Sequence, residues 1–247
     1  QLELDEATFE RSRAALSGAL QGGRHLTRAE LGRVLADAGI EVNGQRLGQL
    51  LMHAELAALI CSGPRRGKQF TYALLDERAP ATPPRTREQA LAELTVRYFT
   101  GHGPALAQDF AWWSGLTIGD ANAGLELARA SLSELVVDGR SYWHAGSARA
   151  PRLAGPVVHL LPNYDEHLVA YKERSAAFDR KRIALLGRRE NVLSNHLITL
   201  NGQVVGRWRR DASRAGAGIE TTLITRLDAA ERKALKAAED RLARFTD

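Results

Sequence analysis

The stretch that decides the fold runs from residue 45 to residue 75 and reads QRLGQLLMHAELAALICSGPRRGKQFTYALL. Its first part places Leu47, Leu50 and Leu51 on one face of a helix, at the spacing of an amphipathic segment. A glycine-bearing turn follows, and the residues after it alternate as in a half-buried strand. We predict four elements in sequence: a helix over 43–58, a strand over 59–61, a turn over 62–68 and a return strand over 69–75 with Phe70, Tyr72 and Leu74 on its buried side.

A shorter helix precedes this stretch. Thr27 and Glu30 have the spacing of a capping box, so we predict a helix over 27–36. Helix, turn, second helix and two-stranded ribbon, in this order, are typical of a winged helix. We predict one over residues 25–78, preceded by a helix within residues 1–24 that connects to a segment further upstream.

The predicted winged helix carries candidate contacts to DNA. A helix fits the major groove, which is about 12 Å wide, while cations on the wing can meet phosphates. Gln and Arg also form bidentate contacts with base edges. The candidates on the second helix and on the turn, the first wing, are Gln45, Arg46, Gln49, Arg65, Arg66 and Lys68. The alternative interpretation is a protein-interaction or scaffolding module.

The same order of elements recurs over residues 79–145. Pro80, Pro83 and Pro84 interrupt the helical pattern and predict a linker near 77–86. Beyond it we predict helices over 87–100, 106–113 and 118–129, and strands over 132–137 and 141–144 joined by Asp138-Gly139. This second wing carries far less positive charge than the first, which favours a scaffolding role for the second copy.

After a linker over 145–156 the pattern changes to short strands. We predict a strand over 157–161, a helix over 163–171 and a hairpin around Asn201-Gly202, one of the strongest short-range turn signals. A strand over 219–226 and a helix over 229–245 follow. The predicted fold class is α+β: tandem winged-helix units followed by a small β-rich, partial-barrel subdomain over 157–247.

Composition bounds the class of protein. The chain has 247 residues, of which 44% are hydrophobic and 26% charged, as in ordinary globular proteins. No apolar run is long enough to span a membrane, and Cys61 is the single cysteine, which favours a reducing compartment. We expect a monomer in the cytoplasm, associated with the nucleoid and without a membrane partner.

Positive charge is concentrated in one segment. Residues 171–189 contain seven Lys or Arg residues and two acidic residues. The net charge of this segment is therefore +5, which equals the net charge of the whole chain. Clustered cations attract polyanions, and the attraction weakens with salt. We predict that this segment and the arginines after the Asn-Gly turn extend a phosphate-binding surface for double-stranded DNA, through Lys172, Arg174, Arg207, Arg209, Arg210 and Arg214.

The sequence offers little for metal or cofactor chemistry. Asp165, Glu166 and His167 are adjacent, so their side chains diverge, and the spacings of zinc ligands and phosphate-binding loops are absent. Cys61 lies in a predicted strand and is interpreted as a small buried hydrophobic residue. We expect neither a metal nor a cofactor.

Three strings, FAWWSGL (110–116), LLPNYDEHLVAYKERS (160–175) and NGQVVGRWRR (201–210), resemble sequence blocks of a bacterial tandem winged-helix DNA-binding family. That family includes the AlkZ-like and YcaQ-like DNA glycosylases. SGPRRGKQFTYALLDER (62–78) resembles its wing segment, and the likeness covers nearly all of the chain in order. The resemblance implies winged-helix units around a basic concave surface, a C-terminal β-rich subdomain, and repair of alkylated or crosslinked DNA.

No catalytic residue carries over from the resemblance. It implies that the family's glycosylases depend on a Gln-x-Gln or Gln-x-Asp motif in their first winged helix, and no glutamine here has Gln or Asp two positions later. Because the chain starts at Gln1, we expect that first unit to be missing. The leading hypothesis is a DNA-binding segment of an AlkZ/YcaQ-like protein with glycosylase activity in its parent. A non-catalytic winged-helix DNA binder or regulator, and a scaffold that touches no nucleic acid, are the alternatives.

Overall fold

Helices and small antiparallel sheets make up the described chain, and the predicted α+β class is confirmed. The computed structural model describes residues 4–79, 81–147, 152–179, 181–186, 192–210 and 218–246. They divide into two compact units, Gln1–Pro84 and Arg85–Asp247. No described helix is both long and apolar enough to cross a membrane.

The described part of the first unit contains α1 (Glu6–Leu20), β1 (Leu26–Thr27), α2 (Arg28–Asp37), α3 (Arg46–Leu56), β2 (Ile60–Ser62), β3 (Thr71–Leu74) and α4 (Leu75–Arg78). The three strands form one antiparallel sheet in the order β1-β3-β2. The helix predicted as a connector, α1, packs Leu16 and Leu20 into the core of this unit. Leu35 and Leu50 reach the same core from α2 and α3, so three helices share it.

Local sequence sets the ends of these helices. The Thr27 hydroxyl accepts from the Glu30 N–H while the Glu30 carboxylate accepts from the Thr27 N–H, so the predicted capping box is confirmed. The helix predicted from residue 43 begins only at Arg46. Gly44 has a φ of +55°, in the left-handed region, so a turn precedes α3.

The return strand, β3, is shorter than the strand predicted over 69–75. It covers only Thr71–Leu74, and Gln69 pairs with Arg66 in a separate bridge at the tip of the hairpin. Thr71 takes the buried position at the start of the strand, and Phe70 beside it is 65% exposed. The prediction that Phe70 lies on the buried side is therefore wrong.

The second unit begins with α5 (Arg87–His102), α6 (Ala107–Ser114), α7 (Ile118–Leu127), a 3-10 turn (Arg129–Ser131), and the ribbon β4 (Ser133–Val137) and β5 (Arg140–His144). Tyr98, Phe99 and Phe110 are fully buried between these helices. The remaining elements are β6 (Val158–Leu161), α8 (Glu166–Val169), a 3-10 turn (Ile183–Leu186), β7 (Leu197–Leu200), β8 (Gln203–Arg210), β9 (Ile219–Leu223) and α9 (Ala229–Thr246).

Strands β6 to β9 form an open antiparallel sheet in sequence order, where we expected a partial barrel. Asn201 and Gly202 have φ values of +49° and +85°, which confirms the tight hairpin turn. On the sheet, Val158 and Trp208 pack with Leu235 of α9 in one core cluster.

The two parts predicted over 79–145 and 157–247 lie within one unit. The Tyr98 hydroxyl donates to the Ala170 carbonyl at 3.2 Å, and the Trp112 indole N–H to the Val169 carbonyl at 2.9 Å. Trp112 thus has a packing role, although its side chain stays partly exposed.

Two further local predictions are wrong. The helix predicted over 163–171 is reduced to α8, because Tyr164 has a φ of +54° and its N–H donates to the Leu193 carbonyl instead. Cys61, predicted to be buried, is only half-buried on β2.

Candidate nucleic-acid interface

The segment predicted as the first wing is a hairpin, residues 62–71, called the basic hairpin below. Its tip is closed by backbone hydrogen bonds between Arg66 and Gln69, at 3.0 and 3.1 Å. Nearer the sheet, the Gly63 N–H donates to the Thr71 carbonyl at 2.8 Å. A Cβ at Gly63 would lie 2.6 Å from the Thr71 hydroxyl oxygen, so this close approach requires glycine.

The three cations of the basic hairpin have different surroundings. Arg66 forms an ion pair of 2.8 Å with Glu30 at the start of α2. The Arg65 guanidinium lies over the Phe70 ring, 4.5 Å from its centroid. Lys68 is exposed and pairs with no acidic residue that the structure describes. Its ammonium group is therefore the charge of this hairpin most available to a phosphate.

Glu30 ties the basic hairpin to α2. Its carboxylate accepts the Thr27 N–H at 2.7 Å and an Arg66 guanidinium N–H at 2.8 Å. The backbone hydrogen bond from Thr27, followed by the contact with Arg66, lowers the pKa of Glu30 to about 2. Arg66 also donates to the His25 carbonyl, so its guanidinium is committed within the unit.

The residues predicted to contact bases are unequally accessible. Gln45 is exposed but precedes the first residue of α3, and Gln49 is half-buried. The Arg46 side chain is only 15% exposed. Its Nε donates to the Glu41 carbonyl at 3.1 Å and lies 3.9 Å from the Glu41 carboxylate. Of the three, Gln45 offers the most accessible side chain.

A groove of about 500 Å³ lies between the basic hairpin and the start of α2. Its lining includes Arg28, Glu55, Lys68, Phe70 and Tyr72. Arg28 is an exposed residue whose guanidinium lies near α3, since a Cβ added at Gly48 would meet its Nη2 at 3.2 Å. Two cations and two aromatic rings therefore border one concave surface.

Two residues of this groove, Arg28 and Phe70, were not predicted from the sequence as parts of the site. Arg28 directly follows the N-cap of α2, and no sequence signal shows that it lines the same groove as the hairpin. For Phe70 the alternating pattern predicted the wrong side. Both assignments depend on the position of the hairpin relative to α2.

In the second unit the predicted residues Arg207, Arg209 and Arg210 lie on β8. Arg207 and Arg209 share one side of the strand, because the buried Trp208 between them points to the other. Arg209 lies directly opposite Glu220 on β9, and two of its nitrogens contact one carboxylate oxygen at 2.6 and 2.7 Å. Arg207 and Arg210 are exposed and form no ion pair with a described residue.

Lys172 and Arg174 differ in accessibility. The Lys172 side chain is exposed, while its backbone N–H donates to the Asp109 carboxylate at 3.0 Å. Arg174 donates through Nε to the Leu168 carbonyl at 2.7 Å and lies 5.6 Å from the Trp112 ring centroid. Burial lowers the pKa of Arg174, and its Nη2 is buried without a partner among the described residues. This guanidinium is part of the packing of the unit.

Several cations of the predicted basic surface fall outside the described residues, namely Arg180, Arg188, Arg189 and Arg214. Within the described part, Arg182 contacts the Asp179 carboxylate at 3.4 Å and the Thr225 hydroxyl at 2.9 Å.

The three adjacent polar residues after β6 have separate partners. The Asp165 carboxylate caps α8, while Glu166 accepts the Trp113 indole N–H at 2.8 Å. The His167 ring contacts the Gly202 carbonyl at 3.1 Å. Throughout the described ranges, no group of three His, Cys, Asp or Glu residues is arranged to hold a metal ion.

The sequence of this chain is similar to that of a known protein family. The family model described as DNA glycosylase AlkZ-like matches residues 1–245. The chain belongs to the AlkZ-like DNA glycosylase family. This membership confirms the resemblance inferred from sequence and supports a DNA-binding role related to repair.

A solved structure shares the fold of this AlkZ-like chain. The Streptomyces sahachiroi DNA glycosylase AlkZ aligns with a TM-score of 0.69 at 18% sequence identity. The alignment covers 98% of the present chain and 68% of that protein. A comparison with curated protein sequences found no match.

Proposed function

We propose that this chain is a DNA-binding segment of an AlkZ-like repair protein and that it contacts double-stranded DNA through a winged helix in its first unit. The observation that carries the proposal is the basic hairpin, whose exposed Lys68 borders a groove together with Arg28. A cationic hairpin beside packed helices suits a mode of binding in which the hairpin meets phosphates and a helix approaches the major groove. Membership of the family supports a role in DNA repair, for which the sequence resemblance implies alkylated or crosslinked DNA as the substrate class.

The wider organisation is part of the same proposal. Winged helices extend over 25–78 and 79–145, and a β-rich subdomain over 157–247. In the second unit the exposed Lys172, Arg207 and Arg210 add contacts to phosphates. The protein acts as a monomer in the cytoplasm, associated with the nucleoid.

The chain by itself binds DNA and does not excise bases. Residues 1–247 contain no Gln-x-Gln or Gln-x-Asp pair, the motif that the family resemblance implies for catalysis. The same observation favours the second candidate, a non-catalytic DNA binder or regulator. Both candidates share the DNA-binding surface, so binding is the property to test first.

Fluorescence anisotropy with a labelled duplex across a salt series tests the proposal. The logarithm of the binding constant falls with the logarithm of the salt concentration, and removing one phosphate contact makes this negative slope shallower by about 0.9. We expect this change, with several-fold weaker binding at low salt, for Lys68→Ala. The matched control is Lys233→Ala, an exposed lysine on α9 with the same change in charge, which should bind as the wild type does.

Two results would contradict the proposal. An unchanged affinity and salt slope for Lys68→Ala would remove the basic hairpin from the interface. When the duplex carries one N7-methylguanine, release of the free base by this chain would show that its residues suffice for excision.

A further inference from the structure

We propose that Phe70 is a stacking platform for a nucleobase that has left the DNA base stack. The inference rests on the proposed function, since it requires DNA at the basic hairpin. It goes further by assigning a preference for duplexes with an unstacked base, as at a bulge or a damaged site, over intact duplexes.

The exposure of Phe70 is the first observation. The ring is 65% exposed, although the neighbouring Thr71 is almost fully buried at the start of β3. The Arg65 guanidinium lies over the ring at 4.5 Å and restricts its orientation by a cation–π contact. Arg65, predicted to meet a phosphate, therefore supports an aromatic surface.

The frame around the ring is the second observation. The Thr71 hydroxyl donates to the Pro64 carbonyl, which crosses the base of the basic hairpin. Arg66 is bound to Glu30 and to the His25 carbonyl, which holds the tip against the start of α2. A ring held on such a frame loses less conformational entropy on binding than one on a free loop.

The groove beside the ring has the chemistry of a nucleotide site. Its volume of about 500 Å³ lies in the range of small-ligand sites. Phe70 and Tyr72 supply aromatic surface, on which any base can stack because every base has a π-face. Arg28 and Lys68 supply positive charge for the phosphates on either side of that base. The Glu55 carboxylate can accept a hydrogen bond from an exocyclic amino group.

The preference for distorted DNA follows from the cost of unstacking. Moving a base out of an intact duplex requires breaking its pairing and stacking, whereas a bulged, mismatched or damaged base has already lost part of both. The stacking gained on Phe70 is similar in the two cases. The net affinity is therefore higher for the duplex whose base is already unstacked.

Anisotropy of the full chain with two duplexes of the same sequence tests this, one intact and one with a single bulged 2-aminopurine. We expect tighter binding of the wild type to the bulged duplex and quenching of 2-aminopurine fluorescence by stacking. Phe70→Ala should bind the bulged duplex on the order of tenfold more weakly and the intact duplex less than twofold more weakly. It should also no longer quench 2-aminopurine fluorescence. Phe70→Trp should retain the wild-type affinity for both duplexes and the quenching.

Two matched variants separate this proposal from the proposed function. Lys68→Ala should weaken binding to both duplexes equally, and Leu56→Ala, which removes another exposed apolar side chain of the same unit, should change neither. Equal losses for both duplexes, or no loss, with Phe70→Ala would overturn the stacking platform while leaving DNA binding in place. Failure of the wild type to bind either duplex would overturn both proposals.

Discussion

Charged residues of the first unit either stabilise the fold or remain open to a ligand. Glu30 belongs to the first kind, since it accepts hydrogen bonds from Thr27 and Arg66 at once. Lys68 belongs to the second, because it is exposed and unpaired among the described residues. The local density of positive charge alone does not distinguish these two uses.

The low pKa of Glu30 predicts acid sensitivity of this unit. The pKa of Glu30 is about 2 in the folded protein and near 4.5 when unperturbed. As the pH falls, Glu30 therefore takes up its proton in the unfolded state before it does so in the folded state. The stabilising contribution is complete above pH 4.5 and is lost as the pH falls towards 2. We expect Glu30→Gln to be less stable at pH 7 and to lose less stability between pH 5 and pH 3.5, as measured by urea unfolding. A variant with the wild-type pH dependence would contradict this.

Helices α5 and α7 approach each other closely at one glycine. A Cβ on Gly124 would lie 2.3 Å from the hydroxyl oxygen of Thr95 and 3.3 Å from the Leu91 side chain. Thr95 is fully buried and its hydroxyl donates to the Leu91 carbonyl at 2.7 Å, so it cannot move aside freely. Contact between two helices, and not a turn, requires this glycine.

We therefore expect Gly124→Ala to destabilise the protein by roughly 1–3 kcal/mol through overpacking, although alanine favours helices. Gly119→Ala is the matched control on the same helix, since its Cβ would meet only the Thr117 hydroxyl, at 3.7 Å. We expect the control to remain within about 0.5 kcal/mol of the wild type. Thermal unfolding by circular dichroism measures both, and equal midpoints for the two variants would contradict the packing argument.

At the scale of the whole molecule, the two units have separate cores. Among the described residues, one hydrophobic cluster, which includes Leu50, belongs to the first unit, and three clusters belong to the second. All four tryptophans lie in the second unit, at positions 112, 113, 143 and 208. Tryptophan fluorescence consequently reports on the second unit alone, whereas circular dichroism reports on both.

We expect Leu50→Ala, which costs about 2–5 kcal/mol in a buried site, to lower the unfolding midpoint of part of the circular dichroism signal only. The tryptophan fluorescence midpoint should stay at its wild-type value. Leu197→Ala, in a core cluster of the second unit, is the control that should shift the fluorescence. If Leu50→Ala shifted both probes together, the units would unfold as one.

Much of the fold could be predicted because its signals are local. Two examples are the capping box of Thr27 and Glu30 and the turn at Asn201-Gly202. Each depends on residues only a few positions apart in the sequence. The candidate site was less predictable. Its basic hairpin could be located from sequence, but its aromatic member, Phe70, was assigned to the wrong side.

The sequence by itself determined the α+β class, the order of helices and hairpins, and membership of the AlkZ-like family. Only the tertiary structure decided which side chains remain available to a ligand. Arg66 is committed to Glu30, 36 positions away, and Trp112 to the Val169 carbonyl, 57 positions away. Helical periodicity, capping and turn signals act over a few residues, whereas the partner of a side chain is set by packing between distant segments.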